Sequence, residues 1–214
     1  MLERSSHREQ ESKTMSATST ALMTAEELMQ LPPDGFRYEL INGELEKMPP
    51  PGHPHGRIAL RLSVYLGQFI LNNGLGEAFA TDTGFKLTSN PDTVLAPDFA
   101  FVTNERFRKE SETEGYWPGP PDLAAEVLSP NDRPGKVSKK IAQWFSFGTK
   151  QVWIVDPKRS TVTIYRSPVD TTTFAGSDYL ESSDLFPGFR ISLDMIFGPT
   201  LETVKESTPI QEKE

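Results

Sequence analysis

The stretch Pro121-Asp122-Leu123-Ala124-Ala125-Glu126-Val127-Leu128-Ser129-Pro130-Asn131-Asp132 sets a carboxylate, Glu126, inside an apolar run. The run is short and ends at Ser129-Pro130, the pattern of a buried strand. A second apolar run, Val94-Leu95-Ala96-Pro97-Asp98-Phe99-Ala100-Phe101-Val102, carries Asp98 after Pro97. A third, Tyr38-Glu39-Leu40-Ile41, carries Glu39. A carboxylate in an apolar strand is costly to bury unless it is paired or metal-bound. One such acid alone is explained as well by a solvent-facing strand position or a turn cap. Three of them, in three separate strand candidates, point to a shared site. Hard cations such as Mg²⁺ take oxygen ligands, commonly one or two carboxylates.

Downstream lies a helical segment, Ser138 to Phe147, with Ile141, Trp144 and Phe145 on one side and Gly148 as terminator. Its Lys140 follows Glu126 by 14 residues. A lysine at the edge of a helix face that packs on a sheet reaches a strand end. The plain alternative is a solvated helix lysine. Val152-Trp153-Ile154-Val155 is a short buried-type strand, stopped by Asp156-Pro157. Thr161–Arg166 reads as its hairpin partner, and Phe186-Pro187-Gly188-Phe189 as a turn before the closing segment Ile191–Ile196.

Upstream, Thr24 and Glu27 form a capping box for a short helix that Pro32-Pro33 ends. Asn42-Gly43 between two strand-like runs signals a β-hairpin. From Arg57 to Asn73, Ile58, Leu62, Tyr65, Leu66, Phe69 and Ile70 recur at helical spacing, and Gly74 stops the helix. Strands are expected over about 76–88, 93–103 and 121–128. A mixed central sheet flanked by helices, an α/β (α+β) fold with an N-terminal hairpin, buries these faces best.

The 214 residues fit one domain over 21–202, with mobile tails at 1–20 and 203–214. No apolar run approaches the roughly 20 residues of a membrane helix. The charged start lacks the apolar core of a secretory signal. There is no cysteine, which excludes thiolate metal sites and a cysteine nucleophile and suits a reducing cytoplasm. The net charge of −8 argues against unspecific affinity for nucleic acid. Between Arg133 and Arg166, however, lie eight basic residues and one acid, which allows a local basic surface.

Other signals carry less. His53 and His55 flank Pro54 in what reads as a loop, with no third zinc-type ligand. Gly74-Leu75-Gly76 lacks the third glycine of a dinucleotide fingerprint and follows a helix. Trp144, Trp153 and Phe145 read as core.

The segments RYELINGEL (37–45), APDFAFV (96–102), PDLAAEVLSPND (121–132) and KIAQWFSFGTKQVWIVDP (140–157) resemble the putative restriction endonuclease family of the PD-(D/E)XK nuclease superfamily. The resemblance implies a restriction-endonuclease-like fold with a mixed sheet of four to five strands. It implies a Mg²⁺- or Mn²⁺-dependent endonuclease acting on DNA. Asp98 matches the first acid of the motif and Glu126 the second, with the Val127 carbonyl placed to face the metal. Position 128 is Leu where the superfamily pattern has Lys. In this family the lysine is displaced to the next helix, where Lys140 stands. Lys139 points about 100° away around that helix. Glu39 matches the hairpin acid, and His55 and Gln143 are candidates for the shell around the ligands. Cutting two strands calls for two sites, hence a homodimer. Two rivals remain: a nuclease-fold protein that binds nucleic acid or a partner without cutting, and a carboxylate-pair hydrolase of sugars.

Overall fold

The structure, a computed structural model, describes residues 22–110 and 114–198. The expected tails, 1–20 and 203–214, lie outside the described residues. Thr24 caps helix α1 (Ala25–Met29) through the full capping box with Glu27. Strands β1 (Arg37–Ile41) and β2 (Glu44–Met48) follow. Asn42 and Gly43 between them have φ of 52° and 78°, the double positive φ of a type I′ turn.

Helix α2 spans His53–Asn72, four residues more at its start than the apolar spacing indicates. His53-Pro54-His55 is therefore the first helical turn, not a loop. Proline is tolerated there because its missing N–H has no helical partner to lose.

The two apolar runs expected as continuous strands are each broken. The first gives β3 (Gly76–Ala80) and β4 (Phe85–Thr88), with Asp82 at φ 67° between them. The second gives β5 (Thr93–Leu95) and β6 (Phe99–Thr103), parted at Pro97, which has no N–H to offer a ladder. After α3 (Asn104–Glu110) come β7 (Trp117–Pro118), β8 (Leu123–Val127) and α4 (Pro134–Ser146). Then follow β9 (Gln151–Asp156), β10 (Thr161–Tyr165), β11 (Thr171–Ala175), β12 (Tyr179–Ser182), β13 (Phe186–Ser192) and α5 (Leu193–Phe197). Phe186–Phe189, expected as a turn, instead opens β13.

The breaks change the sheet count. In place of one sheet of four to five strands there are a six-stranded sheet, β11-β10-β9-β8-β6-β3, and a five-stranded sheet, β2-β1-β5-β4-β7, with a separate β12-β13 pair. Each broken run sends one strand to each large sheet. Both large sheets are mixed: β8–β9 and β4–β7 are parallel, and the other pairings are antiparallel.

Strand alternation then divides the core. Leu123, Ala125 and Val127 of β8 pack with Leu62, Leu66 and Ile70 of α2. Ala124 faces the other way, into a cluster with Ile141 and Trp144 of α4. Glu126 shares the Ala124 face, so the fold aims it at α4. Among the described residues no helix is long and apolar enough to cross a membrane.

Gly76 sits where β3 pairs with β6, opposite Thr103. A Cβ there would strike the Val102 carbonyl oxygen, the Phe101 ring and the Thr103 Cα. Two of these obstacles are backbone and cannot rotate away. Gly76→Ala is expected to lower stability by about 2–3 kcal/mol, read by chemical denaturation.

Candidate active site

Arg37 and Glu39 share one face of β1, and Leu40 the opposite one, buried against α1. Glu126 comes from β8, and Lys140 and Trp144 come from one face of α4, four residues apart. Asp98 stands at the break between β5 and β6, where the chain passes from one large sheet to the other. The structure thus brings Glu39, Asp98, Glu126 and Lys140 to one cavity of about 540 Å³. The chain after β2 (Pro49–Gly52) and the loop after β8 (Leu128–Asp132) form its wall.

Lys140 Nζ donates to Glu39 Oε1 and to Glu126 Oε2, each at 3.0 Å. Glu39 Oε1 also accepts from the Ala96 N–H at 2.9 Å, and Glu126 Oε1 accepts from Trp144 Nε1 at 2.9 Å. Asp98 Oδ2 accepts from the Val127 N–H at 2.8 Å and lies 3.0 Å from His55 Nε2. Arg37 Nη1 and Thr81 Oγ1 are each 3.4 Å from Asp98 Oδ1. Glu39 and Asp98 are almost wholly buried, at 3% and 5% exposure.

The charges are uneven. Burial pushes the Glu126 carboxyl up to about 7; Lys140 works against that, while Asp98 and Glu39 add to it by repulsion. Burial would raise Asp98 as well, but its contact with His55, the Val127 N–H and Lys140 hold it below the ordinary carboxylate range. Burial opposes the charge on Lys140, yet Glu126 and Glu39 reverse this and hold the ammonium well above its usual range. Lys140 is therefore a fixed cation.

Of the other sequence candidates, Lys139 is exposed and takes no part in this triad. Val127 meets the site through its N–H, bound to Asp98. Gln143 does not line the cavity; its carbonyl caps the end of α4, accepting from Phe147. The two histidines separate: His53 is exposed, and His55 is buried beside Asp98. The basic window is largely spent in ion pairs. Lys136, Lys150, Arg159 and Arg166 pair with Glu46, Asp122, Asp156 and Asp184, and Lys140 turns inward. Trp144 and Trp153 are core residues, as their apolar setting indicates.

Three contributors escape a reading by residue type: the Trp144 indole N–H, the Ala96 N–H and Arg37. For two of them a signal was present. Trp144 lies one helical turn from Lys140, and Arg37 lies two strand residues from Glu39.

The donors at the centre are all oxygen, the chemistry that hard cations take. Three carboxylates gather around Lys140, and the repulsion of Asp98 and Glu39 adds to the burial that raises Glu126. Among the described residues no group of three His or acidic side chains is already disposed as a metal cage. Mg²⁺ does not require one, since it keeps waters and binds through one or two carboxylates plus phosphate.

The mixed sheets, the flanking helices and the placement of Asp98 and Glu126 near strand ends put the molecule in the restriction-endonuclease-like class of folds. The chain belongs to the family described as "Putative restriction endonuclease", whose family model matches residues 25–195. It is similar to the crystal structure of a putative nuclease belonging to DUF820 from Anabaena variabilis, with a TM-score of 0.68. The two are 24% identical, over 82% of this chain and 97% of that one, so the likeness is one of fold. No curated protein matches the chain.

Glu126 binds its proton more tightly in the folded protein than its ordinary value of 4.5 allows. Its contribution to stability is therefore complete below about pH 4.5 and is lost as pH rises through about 7. Glu126→Gln is expected to flatten the stability–pH profile of the metal-free protein across that window, relative to wild type, as read by urea denaturation. An unchanged difference between the two proteins from pH 4 to 8 would contradict the raised value.

Proposed function

We propose that this protein is a divalent-metal-dependent endonuclease that hydrolyses the phosphodiester bonds of DNA, in the cytoplasm. The observation that supports it best is the Lys140 ammonium, held 3.0 Å from both Glu39 and Glu126 in the cavity that Asp98 also lines. Asp98, Glu126 and the Val127 carbonyl would hold Mg²⁺ or Mn²⁺. Such an ion, when bound, lowers the pKa of a ligating water and stabilises charge on a phosphate under attack.

The chain's own residues do the rest. Lys140 orients the attacking water through Nζ and offsets the negative charge that grows on the phosphate oxygens. Glu39 fixes that ammonium in place and accepts a hydrogen bond from water. His55 and the Val127 N–H hold the Asp98 carboxylate ionised and in one orientation. Trp144 Nε1 fixes the orientation of the Glu126 carboxyl through Oε1, and Lys140 Nζ lies 3.0 Å from the same group.

Two copies are expected to act together on a duplex, each supplying one cut; sedimentation that finds only monomer with duplex DNA present would remove this part. The second reading is a protein of this fold that binds nucleic acid or a partner without cutting. It is favoured by the net charge of −8 and by the pairing of Lys47 and Lys136, at the cavity wall, with Asp34 and Glu46. Salt-dependent DNA binding with no metal-dependent cleavage would select it.

The purified protein is expected to nick or cut plasmid DNA with Mg²⁺ or Mn²⁺ and not with EDTA. Lys140→Ala and Asp98→Asn should each reduce the rate at least about 100-fold. Cutting that survives both substitutions would sink the assignment.

A further inference from the structure

Among the described residues, four cationic side chains line the cavity: Arg37, Lys47, Lys136 and Lys140. Three of them are committed at short range. Lys47 lies 2.8 Å from Asp34, Lys136 lies 2.9 Å from Glu46, and Lys140 lies 3.0 Å from Glu39. Arg37 differs. Its Nη1 stands 3.4 Å from Asp98 Oδ1 and 3.9 Å from Asp82 Oδ1, both long for a charge-assisted bond. Its Nε is buried with no hydrogen-bond partner among the described residues, a situation native interiors rarely leave without a reason. A quarter of the side chain is exposed, within the cavity wall. The side chain also shares the β1 face with Glu39, so the strand itself aims it at the acids.

A guanidinium carries five donors in a planar fork that matches two oxygens of a phosphate. Here that fork is placed beside Asp98 and loosely held. We propose that Arg37 is the residue that grips the substrate's backbone phosphate in this cavity, with its fork on the non-bridging oxygens. This rests on the phosphodiester reading above, and it assigns substrate contact to a residue outside the acid–lysine set.

The loose Asp98 contact serves as a resting place. It holds the guanidinium near its working position and gives way to a better partner. A residue with a purely structural role would instead be expected to saturate its donors against the protein.

The test is binding, kept apart from cleavage. A fluorescein-labelled 20-base-pair duplex is titrated in EDTA across a series of NaCl concentrations with wild type, Arg37→Met, Arg37→Lys and Lys47→Met. Each phosphate contact contributes about 0.9 to the slope of log K against log salt. Arg37→Met is expected to reduce that slope by about 0.9 and to weaken binding about tenfold at low salt. Arg37→Lys keeps the charge, so it should keep the slope while losing part of the affinity. Lys47→Met should change the slope by less. Thermal denaturation of each variant controls for folding.

An Arg37→Met slope equal to that of wild type would overturn the assignment. So would an equal fall for Lys47→Met, which would make Arg37 one charge in a general field. If Arg37→Lys lost as much slope as Arg37→Met, the role would be structural and the proposal would fail. Wild type that binds no duplex at any salt would overturn the nucleic-acid reading itself, and the Arg37 assignment with it.

Discussion

The ammonium of Lys140 between Glu39 and Glu126 is the contact on which the site depends. Three carboxylates approach one another in a region from which water is largely excluded, and their mutual repulsion has to be offset. The lysine supplies part of that offset, Arg37 beside Asp98 adds to it, and hydrogen-bond donors contribute further: the Ala96 and Val127 amides, the Trp144 indole and His55. Each donor belongs to a different element. The requirement to satisfy these acids therefore fixes β1, β8, α2, α4 and the β5–β6 link relative to one another.

That link deserves its place at the centre. A single unbroken strand over 93–103 would hold Asp98 in one ladder. The absent N–H of Pro97 ends pairing there, and the chain leaves the five-stranded sheet for the six-stranded one. Asp98 is set at the crossing, where its own N–H still bonds to the Ala125 carbonyl at 3.0 Å. The carboxylate then turns toward Val127 and His55. A backbone discontinuity thus gives an acid access to a cavity that ladder geometry would have denied it.

The proposed reading sets an acidic protein against a polyanionic substrate. Among the described residues, five of the eight basic residues between Arg133 and Arg166 are paired with acids, which reduces the basic field of that window. On the proposed reading, affinity for phosphate would come from few residues at close range rather than from a broad basic field. This is consistent with a fold shared with a nuclease family and with a site whose clustered carboxylates offer the oxygen ligands a hard cation takes.

Residue chemistry by itself determined the local features. Asn42-Gly43 dictated a type I′ hairpin, Thr24 and Glu27 a capping box, and the apolar spacing of α2 and α4 their buried faces. The anomaly of Glu39, Asp98 and Glu126 in apolar strands was also legible, because burying an acid is costly wherever the strand lies. Only the tertiary structure decided which acids meet. The alternation of β8 sends Glu126 toward α4, and the four-residue spacing of Lys140 and Trp144 then puts both within reach of it. Leu128, the position where the motif would place its lysine, packs instead on the cluster under α4. The sheet membership of each half-strand, the outward turn of Lys139 and the slack in Arg37 were likewise settled by packing. These depend on contacts between elements far apart in the chain, and no local pattern encodes them.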